Sequence, residues 1–191
     1  MGVSGHALDS QFATGVLDVL SEHLEIVHSS SGHWRPKADL GKPYGKITGD
    51  LCCCFTQPGQ EGYSLLIIER EGSGPGNERN ILKWYRAVQQ RVVVSIDDGR
   101  QRIEVRPARV LLAMAFMRPP GWDQSDFEKT AAFSELLGDL LNMHAAFSEP
   151  TFSVVVERYA QQLECCESCG RDMAISILKR LGTTGVPQPK N

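Results

Sequence analysis

Three carboxylates between positions 50 and 71 are the residues whose types and spacing suit a reaction. Asp50 opens an apolar, strand-like run, Leu51-Cys52-Cys53-Cys54-Phe55. Glu69 and Glu71 close the next such run, which begins Tyr63-Ser64-Leu65-Leu66-Ile67-Ile68. Side chains two apart on a strand share a face, so Glu69 and Glu71 point the same way. Three crowded carboxylates repel one another unless a cation neutralises them, and such oxygen ligands suit the hard ions Mg²⁺ and Mn²⁺. A divalent ion in that setting activates a water and stabilises the transition state of phosphodiester hydrolysis. Asp50, Glu69 and Glu71 are therefore the candidate catalytic carboxylates. The competing reading makes the acids strand-end charges facing water.

The order of these residues resembles the PD-(D/E)xK nuclease superfamily: an Asp at one strand, Glu-x-Glu at the end of the next, a Gly/Asn-rich link, then a helix. The resemblance covers residues 9–98. In its Glu-x-Glu form it is similar to restriction endonucleases of the BamHI type. With the lysine moved onto the following helix it is similar to the cap-snatching endonucleases of segmented RNA viruses. The resemblance implies that Asp50 and Glu69 are metal ligands, with Mg²⁺ or Mn²⁺ as the cofactor and DNA or RNA as the substrate. It implies that Glu71 takes the place usually held by lysine and that Lys83 is the displaced lysine. Glu22 or Glu25 would supply a further acid from the first helix. Two positions depart from the pattern: Gly49 rather than Pro precedes Asp50, and Glu rather than Lys stands at 71.

Other clusters offer less. The chain has six cysteines, Cys52-Cys53-Cys54 and Cys165, Cys166 and Cys169. Neighbours on a strand point to opposite faces and do not pair easily. Free thiols follow, and with them a reducing compartment, cytoplasmic or nuclear rather than secreted. The second cluster offers three ligands where structural zinc needs four, so zinc is disfavoured and core packing preferred. Cys53 has no neighbouring His or helix N-terminus to activate it as a nucleophile. His6, His23, His28 and His33 match no motif, and His144 falls on an apolar helical face. Arg91, Arg100, Arg102, Arg106 and Arg109 would join Arg79, Lys83 and Arg86 in a phosphate-binding side; the plainer reading is a solvated polar face.

The elements that must position the four residues follow from the rest of the chain. Its 191 residues are 41% hydrophobic, enough for one cored domain, and 20 basic side chains face 23 acidic ones. No global basic field draws the protein to nucleic acid, so binding would need a local patch. The longest apolar run, Val110–Met117, is too short to span a bilayer, and the N-terminus lacks the basic start and apolar core of a signal peptide. Helical spacing of Phe12, Val16, Val19, Leu20, Leu24 and Val27 predicts a first helix over 9–27, broken by Ser29–Gly32. A loop over 33–44 with room for a short edge strand leads to a strand over 46–55. The turn at 58–62 makes an antiparallel hairpin with Tyr63–Arg70, whose Leu66 and Ile68 face one side and Leu65 and Ile67 the other, all buried.

A helix over 77–90 and a hairpin turning at Asp97-Asp98-Gly99 come next, then a buried run over 109–116. Ser125 and Glu128 form a capping box for a helix to Phe147, with Phe133, Leu136, Leu137, Leu140, Leu141, His144 and Phe147 inward. A helix started by Pro150 carries Phe152, Val155, Tyr159, Leu163 and Cys166, and Gly170 separates it from a last helix over 173–181.

The fold class expected is α+β: a small, mostly antiparallel or mixed sheet flanked by helices, with a C-terminal helical segment. Residues 1–122 form the core, 123–182 form helices packed on it or a subdomain, and 183–191 a disordered tail. The expected function is a metal-dependent nuclease cleaving phosphodiester bonds in DNA or RNA. The alternatives are a non-enzymatic binding or scaffold protein, viral or host-interacting, whose C-terminal helices meet a partner or a second copy, and a degenerate nuclease fold that only binds nucleic acid.

Overall fold

Leu51–Phe55 and Leu65–Ile68 are apolar on both faces, which makes these runs the middle of a sheet covered on both sides. The computed structural model describes residues 5–31, 37–56, 62–71, 78–97, 99–117, 123–145, 151–159 and 166–183. Its first half runs α1 (Gly5–Ser21), β1 (Glu25–Ser31), β2 (Lys37–Asp39), β3 (Lys46–Thr48), β4 (Leu51–Thr56), β5 (Ser64–Glu71) and α2 (Glu78–Gln89). Then come β6 (Val94–Asp97), β7 (Arg102–Val105), β8 (Arg109–Met117), α3 (Gln124–Ala145), β9 (Thr151–Tyr159) and α4 (Cys166–Arg180). A five-stranded mixed sheet has the order β1-β4-β5-β8-β9, and a four-stranded antiparallel sheet the order β3-β2-β6-β7. The hairpin of β4 and β5 forms as expected, with Leu51 opposite Ile68 and Cys54 opposite Leu65. Beyond it β8 lies parallel to β5, and β9 parallel to β8. The class is α+β, as the sequence predicts.

The period of two divides the sheet's apolar residues between two cores. Leu51, Cys53, Phe55, Leu66 and Ile68 pack with Val16 and Leu20 of α1 and Met173 and Ile177 of α4. Cys52, Cys54, Leu65 and Ile67 face the other way, toward Ile81 and Trp84 of α2, Phe127 of α3, and Ile47 and Ile96 of the smaller sheet. All four side chains of Leu65–Ile68 are buried. Strand β9 is an edge, and the Asn142 amide occupies its backbone. Its Nδ2 donates to the Val154 carbonyl at 2.9 Å and its Oδ1 accepts from the Val154 N–H at 2.7 Å, so fewer ladder groups stay open to another chain. Arg158 of β9 pairs with Glu128 and Glu135 of α3.

Several expectations are corrected. The first helix ends at Ser21, and Glu25–Ser31 is strand β1. Pairing of Ile26 with Phe55 and His28 with Cys54 outweighs the weak helical continuation. The expected strand over 46–55 is broken at Gly49 and Asp50: β3 belongs to the smaller sheet and β4 to the larger. Thr151–Tyr159 is a strand rather than a helix. Its Val154-Val155-Val156 run favours the pleat, and Phe152 and Val154 enter one core while Val155 and Tyr159 pack against the other. Helix α4 begins at Cys166 and passes unbroken through Gly170.

The inward face of α3 is Phe127, Ala131, Ser134, Gly138 and Leu141, with Leu137 partly buried. Phe133, Leu136, Leu140 and Met143 are exposed, and so is His144. The short strand β2 falls inside the predicted loop, and β6 and β7 form the predicted hairpin, with Ile96 opposite Ile103. The expectations for Phe147, Leu163, Cys165, the turn at 58–61 and the tail from 184 lie outside the described residues. No helix among the described residues is long and apolar enough to cross a membrane.

Candidate active site

The break at Gly49 and Asp50 sets the site. Where the chain passes from the smaller sheet to the larger, the Asp50 N–H still donates to the Ile68 carbonyl at 3.0 Å. The Asp50 carboxylate then replaces the next rung of the ladder, accepting the Arg70 N–H at Oδ2 at 2.9 Å. Asp50 is thus held beside the end of β5, where Glu69 and Glu71 emerge on one face. That face is the one covered by α2, whose Asn80, Lys83 and Trp84 stand at i, i+3 and i+4 over the strand end. The Trp84 indole Nε1–H donates to Glu69 Oε1 at 2.7 Å. The Asn80 amide Nδ2 donates to Glu71 Oε1.

Asp50, Glu69, Glu71 and Lys83 together line one polar cleft of about 320 Å³, with Lys46, Thr48, Arg70 and Asn80. The four residues selected from the sequence are therefore brought to one place. Glu25 is not: it sits at the Thr56 end of β1, accepting that hydroxyl, at the end of the sheet remote from Asp50. Glu22 follows the end of α1 and does not line the cleft. The arginines over 91–109 do not line it either, and Arg102 is exposed and bound to Ser95 and Glu104.

The acids of the cleft are partly or wholly buried. Glu69 is 4% exposed, so its charge depends on the indole donor and its other polar neighbours. Burial pushes the Glu71 carboxyl above its ordinary value; the Asn80 hydrogen bond works against the shift, and the Asp50 charge adds to it. An acid raised in the folded state binds protons more tightly there than in the unfolded chain. Its ionisation therefore costs stability as pH rises from the ordinary glutamate value, about 4.3, through the folded value. Glu71→Gln keeps the acceptor for Asn80 and removes the charge. In EDTA this variant melts higher than the wild type at pH 8, and the difference disappears toward pH 4. A lower melting temperature for the variant at pH 8 would contradict this account.

Carboxylate oxygens are the donor type that hard divalent cations take; Mg²⁺ keeps several waters and needs only one or two protein carboxylates beside substrate phosphate. Asp50 and Glu69 are two carboxylates on this cleft that would hold such an ion. Among the described residues, no three His, Cys, Asp or Glu side chains form a ready-made metal-holding group. The cysteines are different chemistry. Cys52, Cys53, Cys54 and Cys169 are free and buried. Burial raises the Cys53 thiol to about 12 and Cys54 to about 11, far from a nucleophile's range.

Trp84 and Asn80 were not legible as site residues, although Trp84 carried a signal. It falls between Ile81 and Val88 on the buried stripe of an otherwise polar helix, and a buried indole N–H needs an acceptor. No protein-family model, curated protein or solved structure matches this chain.

Proposed function

We propose that the protein is a metal-dependent nuclease acting on phosphodiester bonds. The observation that carries this reading is one cleft lined by Asp50, Glu69, Glu71 and Lys83, at the ends of adjacent strands and beneath one helix. It is supported by the placement of both Asp50 and Glu69 on this cleft rather than on opposite sides of the sheet. Asp50 and Glu69 would hold the cation, Mg²⁺ or Mn²⁺. When bound, the cation supplies Lewis acidity toward the phosphate and a water of lowered pKa. Glu71, raised by burial, is the residue suited to take the proton from the attacking water. Lys83 offsets the charge that develops on the phosphate, and Trp84 and Asn80 fix the rotamers of Glu69 and Glu71. The test is incubation of purified protein with single-stranded and duplex DNA and RNA, in Mn²⁺, Mg²⁺ or EDTA. Cutting is expected in the metals alone; none in any condition ends this reading.

A second reading, an interaction module, is favoured by one observation. Phe133, Leu136, Leu140 and Met143 are 54–68% exposed and recur at 3-4-3 spacing along the 22-residue helix α3. That spacing is a coiled-coil seam, and a second copy crossing antiparallel covers it with the same apolar side chains. Sedimentation velocity should show a concentration-dependent dimer that Leu136→Lys abolishes. A wild-type monomer at the highest soluble concentration would overturn it.

A further inference from the structure

Beside the carboxylate cleft lies a second, larger groove of about 640 Å³ along α2, and Lys83 lines both. Its walls are Tyr44, Leu82 and Tyr85, with Arg79, Lys83 and Arg86 among them. Tyr44 comes from the β2–β3 hairpin, whose loop is closed by bonds from the Tyr44 and Gly45 N–H groups to the Gly41 carbonyl and from the Leu40 N–H to the Gly45 carbonyl. Gly41 and Gly45 both take φ of +69°, which the tight return requires. The loop thus holds the Tyr44 ring over the helix, with the Arg86 guanidinium 4.0 Å from its centroid. One ring face is taken by the guanidinium, and Tyr44 is still 42% exposed, as is Leu82 at 48%. Tyr85 is anchored from behind, edge-on to Phe152 at 5.6 Å.

Among the described residues, none of Arg79, Lys83 and Arg86 is in an ion pair. The Arg86 Nε–H is buried without a hydrogen-bond acceptor. An apolar floor with an open aromatic face, ringed by three cations, fits a planar base attached to phosphate. It does not fit an uncharged aliphatic ligand, which would leave the cations unanswered.

We infer that this groove is a nucleobase subsite for single-stranded nucleic acid. The unpaired nucleotide next to the phosphate in the cleft lays its base on Tyr44 and Leu82 and its own phosphate against Arg79 and Arg86. Lys83 stands between the two positions and contacts the strand as it passes from groove to cleft. A base can stack on side chains only where it is free of its own duplex, so this geometry selects single strands. The assignment rests on the nuclease reading of the neighbouring cleft for its direction, and it is tested without cleavage.

The experiment is fluorescence anisotropy with a labelled oligothymidylate and with a duplex of the same length, both in EDTA. The wild type binds the single strand more tightly than the duplex. Tyr44→Ala weakens single-strand binding by about 5- to 100-fold, the range for loss of one base–aromatic stack, while Tyr44→Phe retains it. Arg79→Ala lowers the slope of log K against log salt by about 0.7, one phosphate contact on a single strand. Circular dichroism melts establish that each variant is folded. Tyr44→Ala binding within twofold of wild type, or tighter binding of the duplex, overturns the subsite. Metal-dependent cutting with no role for Tyr44 overturns the subsite and leaves the cleft reading intact. Tyr44-dependent single-strand binding with no cutting overturns the nuclease reading and leaves the groove as a nucleic-acid site.

Discussion

Asp50→Asn is expected to lower metal-dependent cleavage by about 10²–10⁴-fold, the range for loss of one group essential to charge stabilisation or proton transfer. The substitution is isosteric, and the amide oxygen still accepts from the Arg70 N–H, so β4 and β5 keep their register. It also removes one of the charges that raise Glu71. The metal-free variant therefore melts at or slightly above the wild-type temperature. Single-turnover cleavage with saturating Mn²⁺ separates this loss of chemistry from a loss of folding, which circular dichroism would report. An Asp50→Asn protein that cuts within a fewfold of wild type would remove Asp50 from the machinery.

Gly170→Ala is expected to cost about 3 kcal/mol and to lower the melting temperature by roughly 6–12 °C, the scale for overpacking in a protein of this length. Helices α1 and α4 cross with their backbones nearly touching. A Cβ built on Gly170 lies 2.2 Å from the Phe12 carbonyl oxygen, and one on Gly15 lies 2.1 Å from that of Glu167. Neither obstacle is a side-chain end that can swing away, so the helices must separate. The core of Val16, Leu20, Met173 and Ile177 would loosen with them. Gly138→Ala is the control. Its Cβ meets only side chains, Val154 at 3.3 Å and Val156 at 3.7 Å, and the helix gains the propensity of Ala over Gly. Thermal melts of both variants check the contrast. A Gly170→Ala protein as stable as wild type would show that α1 and α4 do not meet this closely.

The same glycine shows where sequence reasoning runs out. In a helical pattern Gly170 reads as a stop, because nothing local shows that another helix needs the space. Only the α1 backbone, more than 150 positions earlier in the chain, gives the residue its role. The β4–β5 hairpin was legible for the opposite reason. Its two runs are short, continuously apolar and close in sequence, and a one-residue slip would exchange the side chains that face the two cores. Once that register is set, Glu69 and Glu71 must leave the sheet together, and Asp50 must meet them.

The remaining misreadings have similar causes. Glu25–Val27 fits the end of the first helix, and Thr151–Tyr159 fits a helix of its own, because short apolar runs match either period; both segments are strands because the sheet has edges to extend at β4 and β8. Helix α3 carries two apolar stripes, and the expected inward set mixes them: Leu137 and Leu141 pack inward as expected, whereas Phe133, Leu136 and Leu140 are exposed. The stripe with Gly138 and Ala131 packs inward because small residues let the helix lie close to β9.

The central claim is that Asp50 and Glu69 hold a divalent ion at the end of the β4–β5 hairpin. Calorimetric titration of the metal-free protein with Mn²⁺, in the absence of nucleic acid, tests it most directly. The account predicts saturable uptake by the wild type, accompanied by a rise in melting temperature, and loss of both in Glu69→Gln and Asp50→Asn. Absence of Mn²⁺ binding to a folded wild-type protein, or equal binding by all three, would contradict it.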